Sequence, residues 1–520
     1  MKKIYLLYSI LTFMAVAIIS FMIASRLVAY FQTVEETPAQ LVIDRNIENF
    51  HVPEYSWRVL SNDGRKIEPH HLKKITEDYL ASNYYYDVYN ATGNSIGLKD
   101  YYTERMRKKL VDFSTLNKST GTQNRITTLS HDLDLKLYSE DGTIAVLTDK
   151  QVRYIQLYEK DMFNTSLYDT ARFDVMLLLE DNFWRTRHKI RKVDQERKQQ
   201  VIATENNQKV KIKGKQFIVD NKPFISKGIN YYTAESPWED FWPNFDEKVI
   251  KNDFKTIKSL GFNTVRIFIP YHQFGENKVQ SEYLSKLICL LDLAETEDLK
   301  VIITLFDFFL QYQAENWTFA DRHVEMITRG VNGHPAIFSW DIKNEPNLDF
   351  ESQGEDIVKE WLKFIAGRIR HYTQSELVTI GWSSPLYITT LHDDVDYYSF
   401  HYYERAEDLA GYLDSNFDKP ILLEETGMHS FNAWWYPFRK SQHDQATYIK
   451  EVLAIIKKNN LSYSLWTLYD FKNIPDNVVG TVYWRKGIQK NFGIIDKKGK
   501  TKSGYEVIKA FNRTYNPGHD

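Results

Sequence analysis

The 520-residue sequence holds a single cysteine, Cys289. It therefore has no intrachain disulfide and no cysteine-based zinc site. Cys289 falls in the helical stretch Leu287-Ile288-Cys289-Leu290, where a lone thiol behaves as a small hydrophobe. An excess of either charge is also missing: 66 Lys and Arg stand against 69 Asp and Glu. With no strongly basic domain, the sequence argues against a nucleic-acid partner. No glycine-rich phosphate loop follows the first strand of the C-terminal region, so a doubly wound nucleotide-binding fold lacks support. What is abundant is apolar and aromatic material. Hydrophobic residues make up 43% and aromatics 15%, enough for sizeable cores and for flat faces on which sugar rings stack. The length implies two or three domains.

Met1-Lys2-Lys3 precedes an uncharged, mostly apolar run from Ile4 to Ser25. A helix of about 20 such residues crosses a bilayer. The run is long for a secretory signal and Ala24-Ser25-Arg26 is a poor cleavage site, so we expect a signal anchor within residues 1–31; a cleaved signal is the alternative. Lys2 and Lys3 place the short N-terminal tip in the cytoplasm and the remainder outside.

Residues 41–191 read as a smaller α+β domain. Helical patterns occupy Ile67 to Tyr86 and Asp100 to Thr115. Alternating runs follow over Arg125 to Tyr138, Gly142 to Leu157 and Ala171 to Arg187, the signature of antiparallel strands. Asp141-Gly142 marks a hairpin. The ending Leu179-Glu180-Asp181-Asn182-Phe183-Trp184-Arg185 weakly resembles the last strand of a nuclear-transport-factor-like cone. No carboxylate–histidine constellation stands out in this region, and the expectation is a non-catalytic role. Arg185 to Lys209 is charged and polar, and residues 192–209 are assigned as a linker.

From residue 210 to 520 the pattern changes. After an entry hairpin, short apolar runs alternate with amphipathic helices. The runs are Phe224–Ile229, Thr264–Ile269, Lys300–Phe306, Ile337–Ile342, Leu377–Gly381, Tyr397–His401, Pro420–Glu424 and Ser462–Trp466. Eight strand–helix units predict a (β/α)8 barrel, whose active site belongs at the C-terminal strand tips. Those tips carry Asn230, Arg266, Asp307, Asn344-Glu345, Trp382, His401 with Tyr403, Glu425 and Trp466. Glu345 and Glu425 are paired carboxylates on the fourth and seventh strands, as double displacement at a glycosidic bond requires. Arg266 and His401 can orient them, Asn344 and Tyr403 can hydrogen-bond, and Trp466 can floor a sugar site. Trp238, Trp242, Tyr312, Trp317, Trp434 and Trp435 are further candidates for lining subsites.

The motifs Lys227-Gly228-Ile229-Asn230, Val265-Arg266, Trp340 to Pro346, His401-Tyr402-Tyr403, Leu423-Glu424-Glu425-Thr426-Gly427 and Trp466 together resemble a clan A retaining glycoside hydrolase, most similar to glycoside hydrolase family 5. The resemblance implies Glu345 as acid/base and Glu425, rather than the adjacent Glu424, as nucleophile. Alternation along a strand turns Glu424 away from the mouth. The resemblance also implies a histidine at the third strand tip, where this chain has Asp307. The expected function is a membrane-anchored retaining β-glycosidase acting on a β-linked glycan, with no cofactor and no metal. A transglycosylase on the same site and a non-catalytic glycan-binding scaffold in polysaccharide secretion are the alternatives.

Overall fold

The computed structural model describes residues 53–59, 64–119, 122–159, 162–192, 210–373, 376–413 and 416–516. The stretch expected to form a membrane anchor lies outside them. Among the described residues no helix is long and apolar enough to cross a membrane.

The first unit is a five-stranded sheet in the order β1-β2-β3-β4-β5, covered by helices. Its strands are β1 (Glu54–Val59), β2 (Thr122–Tyr138), β3 (Ile144–Glu159), β4 (Met162–Glu180) and β5 (Phe183–Lys192). The helices are α1 (Pro69–Thr92) and α2 (Glu104–Ser119). Pro69 starts α1 where its missing N–H has no helical partner, and Gly93 ends it at φ 78°. Alternation along the strands sends Leu133, Leu135, Leu147, Val175 and Leu177 into one core with Ile75 and Tyr79 of α1. Two expectations are corrected here. The chain enters through β1, which pairs in parallel with β2. The run from Ala171 to Arg187 is not one strand: Asp181 and Asn182, both at positive φ, turn β4 back into β5. β5 runs on to Lys192, the residue at which the segment assigned as a linker begins.

A small antiparallel sheet follows, β6 (Val210–Lys213), β7 (Gln216–Val219) and β8 (Lys222–Phe224). It closes the N-terminal end of the barrel. Phe217 lies 5.1 Å from the Phe338 ring and 5.0 Å from the Tyr397 ring, in a cluster with Ile302, Leu377 and Leu422 at the strand starts.

The barrel is closed and parallel, with β9 (Lys227–Asn230), β10 (Thr264–Pro270), β11 (Lys300–Asp307), β12 (Ile337–Asn344), β13 (Leu377–Trp382), β14 (Tyr398–Tyr402), β15 (Ile421–Thr426) and β16 (Ser462–Leu465). β16 pairs with β9 to close the ring. All eight strands coincide with the apolar runs read from sequence. Around them lie α3 (Glu247–Ser259), α4 (Ser281–Thr296), α5 (Trp317–Gly330), α6 (Glu355–Thr373), α7 (Ala406–Leu413), α8 (Gln442–Lys458) and α9 (Ser503–Thr514). Asp246 caps α3, and Ser441 with Asp444 forms a reciprocal capping box on α8. Cys289 is half-buried on α4 against the main core.

The two units share a core. Leu129 of β2 and Tyr154 of β3 are buried in the same cluster as the barrel interior. The Tyr154 ring lies 5.1 Å from Trp317 and 5.5 Å from Phe364, and its hydroxyl donates to Glu360 at 2.9 Å. Arg329 pairs with Glu54 at 2.6 Å. The outer sheet is thus seated on α5 and α6.

Candidate active site

Arg266 of β10 organises the barrel mouth from below. It is fully buried, and its guanidinium donates to Glu425 Oε1 at 2.5 Å, Asp341 at 2.6 Å, Asn344 Oδ1 at 3.0 Å and Asn230 Oδ1 at 3.1 Å. Its Nε lies 3.5 Å from Glu424. One planar cation with five donors can serve several strand tips at once, which a lysine cannot. Asp341 is held in turn by Thr304 Oγ1 at 2.7 Å and the Gly381 N–H at 2.9 Å. Gly381 is required by close approach: a Cβ there would sit 2.5 Å from Glu424 Oε2.

Above this layer stand the two candidate catalytic carboxylates. Tyr403 donates to Glu425 Oε2 at 2.6 Å, so both oxygens of Glu425 are fixed. Glu345 follows the last residue of β12 at φ 49°, a left-handed conformation that costs a non-glycine residue about 1–3 kcal/mol. Its N–H donates to Gly381 O at 2.8 Å, which holds the turn. His401 Nδ1 contacts Glu345 Oε1 at 2.8 Å and lies 3.6 Å from Glu425 Oε2. Carboxylate oxygens of Glu345 and Glu425 and the His401 nitrogen all lie within 4.8 Å of one another. These three donors have the spacing of a metal site, yet the protonation of His401 and its hydrogen bonds already account for their proximity.

Electrostatics follow from the crowding of acids. Burial pulls His401 down, but Glu425, Glu345 and Glu424 around it outweigh that and raise it to about 10. His401 is therefore an imidazolium at neutral pH. Burial pushes Glu345 up, while the hydrogen bond and charge of His401, with Arg266 and Lys343, hold it below the usual carboxylate range. Burial likewise opposes ionisation of Glu424, and Arg266 and His401 overcome it.

A cleft of about 570 Å³ opens over these groups, within the range of ligand pockets. It is lined by Glu345, Glu425, Asn344, Tyr403 and Trp466, by Trp238, Tyr232 and Phe268, and by Asp307, Lys343 and Asp349. The expected site residues divide accordingly. Asn344, Tyr403 and Trp466 reach the cleft. Arg266 and His401, expected to orient the carboxylates, do not line the cleft: they are fully buried and touch Glu425 and Glu345 from beneath. Glu424 does not turn away from the barrel interior either. Register shifts beside β15, at Phe400/His401 and at Leu423/Thr426, break the alternation. Both glutamates consequently face inward, with Glu424 buried beneath Glu425. Of the loop aromatics, Trp238 lines the cleft; Trp242, Tyr312 and Trp317 are buried in packing, and Trp434 and Trp435 are exposed away from it. Asp341 was missed, although its alternation with Trp340 and Ile342, which pack outward, marks it as inward-facing.

The outer sheet domain contains a second buried network that sequence reading did not anticipate. Asp149 accepts from Tyr79 at 2.6 Å and Gln151 at 2.7 Å, and lies 2.8 Å from His131 Nδ1. Lys189 donates to Asn83, which also accepts from Gln151 at 3.1 Å. Burial pulls Lys189 down to about 8 and pushes neighbouring Asp87 up to about 7.

Comparison with known proteins agrees with the barrel and its motifs. Residues 219–472 match the family model of cellulase, glycosyl hydrolase family 5. The chain is 24% identical over 297 residues to a β-glucuronidase of Chlorocebus aethiops, covering 52% of this chain and 42% of that protein. It is 24% identical over 206 residues to mannan endo-1,4-β-mannosidase A of Podospora anserina, covering 33% of this chain and 53% of that one. The chain therefore spans about half or less of the length of these relatives. An exo-β-1,4-mannosidase structure from Opitutaceae bacterium strain TAV5 aligns at 20% identity and TM-score 0.48, over 56% of this chain and 59% of that chain. Residues 219–472, which match the glycosyl hydrolase family 5 model, are set in a closed eight-stranded barrel preceded by an α+β unit.

Proposed function

We propose that the protein is a retaining β-glycosidase that hydrolyses a β-linked poly- or oligosaccharide by double displacement. The observation that carries this reading is the spacing of Glu345 and Glu425, whose oxygens lie within 4.8 Å. Retaining enzymes hold their carboxyls about 5–5.5 Å apart, whereas inverting enzymes leave room for an intervening water. Glu425 attacks the anomeric carbon while the Glu345–His401 pair delivers a proton to the leaving oxygen. The 2.8 Å contact between His401 Nδ1 and Glu345 Oε1 lets the pair hand on that proton. Once Glu425 is esterified its negative charge is gone, and with it the strongest attraction sustaining the His401 imidazolium. Glu345 then accepts the proton of the water that releases the sugar. Trp466, Trp238 and Phe268 supply apolar faces for the ring.

Glu425→Ala and Glu345→Ala test the mechanism with an aryl β-glycoside. Glu425→Ala should lose turnover, and azide should restore it with inverted product. Glu345→Ala should retain the first step for a good leaving group, and azide should restore the second with retained product. Full activity in both variants would remove the reading. The apolar run from Ile4 to Ser25 behind Lys2-Lys3 supports a single-pass anchor with the barrel outside the cytoplasm. Protease added to intact cells should then digest the barrel; full protection would refute that placement.

A further inference from the structure

We propose that Asp307 is a specificity-determining sugar contact, its carboxylate accepting hydrogen bonds from two vicinal hydroxyls of the ring bound against Glu425. This rests on the glycosidase reading above. Asp307 ends β11, lines the cleft with Glu345 and Glu425, and is 5% exposed. The other charged groups lining the cleft are already paired. Glu345 meets His401, Glu425 meets Arg266 and Tyr403, and Lys343 meets Asp349 at 3.0 Å. The Asp307 carboxyl, among the described residues, has neither hydrogen bond nor salt bridge; the charges of Lys343 and Arg266 act on it only from a distance.

A buried carboxyl without donors is unfavourable, and a ligand bringing donors removes the penalty. Burial, with Glu425 and Asp341 nearby, pushes Asp307 up to about 7, against the pull of Lys343 and Arg266. Tyr232 is the further titratable group that faces it. Two oxygens in one plane match two adjacent hydroxyls, as they match the two N–H groups of an arginine fork. Around Asp307 the walls are aromatic, from Tyr232, Phe268 and Trp466, so a sugar stacked there presents its hydroxyl edge to the carboxylate. The resemblance to family 5 implies a histidine at this strand tip. Aspartate replaces a group that can donate with one that, ionised, only accepts, and so changes which hydroxyl arrangement is favoured.

The test uses the full chain and its Asp307→Asn, Asp307→Ala and Glu425→Ala variants. The probes are a panel of methyl β-hexopyranosides and, for each, the analogue lacking one of two vicinal hydroxyls. Binding is read by calorimetry and hydrolysis with the matching aryl glycosides. Asp307→Ala should weaken binding of the preferred sugar by about 10- to 100-fold, the worth of hydrogen bonds to a charged group. In the Glu425→Ala background, where hydrolysis is blocked, Asp307→Ala should cause the same fold loss. The loss should shrink towards unity for the deoxy analogue, which a merely structural defect would not produce. For Asp307→Asn, the inflection of kcat/KM near pH 7 should disappear. Equal binding by wild type and Asp307→Ala, equal losses on intact and deoxy sugars, or no binding of any β-hexopyranoside to the wild type would each overturn the proposal. Sugar binding that depends on Asp307 without hydrolysis of any aryl glycoside would instead refute the glycosidase reading alone.

Discussion

The barrel mouth and the outer sheet each bury a histidine against a carboxylate, and the arrangement in the barrel opens on the wide cleft. In the sheet, α1 lies across the network, and the Tyr79 hydroxyl and Gln151 amide hydrogen-bond to Asp149 beside His131. Burial pushes Asp149 up, but His131 and Lys189 hold it below the ordinary range. His131, Asp149 and Gln151 are buried, and Asn83 and Asp87 at the edge of the network line a small cavity. In the barrel, parallel strands bring eight tips to one end, and the same residue types face a cavity. Buried titratable groups therefore mark a reactive site only where the fold leaves them an open side.

The largest break in this comparison is to separate the two units. A chain starting at Val210 loses Leu129 and Tyr154 from the shared core and bares the α5 and α6 surfaces they cover. It should aggregate, or bind a hydrophobic dye strongly, where the longer chain does not. A soluble, fully active product would show that the shared core contributes little.

Next in size is Glu424→Ala. Removing one partner from a buried ion cluster typically costs about 3–5 kcal/mol. The variant should lose about that stability in denaturant titrations, and its kcat should drop because Arg266 and His401 shift. Wild-type kcat would mean that Glu425 is positioned without the layer beneath it. Asp149→Ala is the matched change in the sheet. It leaves the buried Tyr79 hydroxyl and the His131 ring nitrogen without their Asp149 partner, at about 1–3 kcal/mol each, while Gln151 keeps Asn83. Stability should fall while kcat of the folded protein stays within about twofold; a large kcat loss would join the two networks functionally.

The comparison sharpens further through pH. His401 is raised above its ordinary value of about 6.5. Its stabilising contribution is complete below that value and is lost as pH rises towards about 10. Glu345 and Glu424 are lowered, so their contributions are present above the ordinary carboxylate range and vanish as pH falls through their folded values. Unfolding free energies measured from pH 6 to 10 should decline in the wild type and less steeply in His401→Gln. Parallel slopes would remove the imidazolium assignment.

Much of this was legible beforehand, for physical reasons. The barrel strands are continuous apolar runs because both faces are buried, and each ends in a polar tip. Glu345, Glu425 and Tyr403 followed from those tips. The errors have a common source. Glu424 was turned outward because alternation was carried through a strand that the register shifts interrupt. β1 went unread because a parallel edge strand is defined by a partner far along the chain. The His131–Asp149 pair unites residues from β2 and β3 that only the hairpin register brings together.

The segment between Asp307 and Trp317 belongs to both halves of the molecule. At one end Asp307, Phe308 and Leu310 form a wall of the cleft. At the other, Gln313 accepts from Arg125 of β2 at 3.5 Å, and Ala314 and Thr318 line a small cavity with Leu80, Asn83 and Asp87 of α1. The segment acts as a strut: a tilt of the sheet against α5 and α6 carries the wall with it. The width of the cleft is set in part from outside the barrel, by how the sheet is seated.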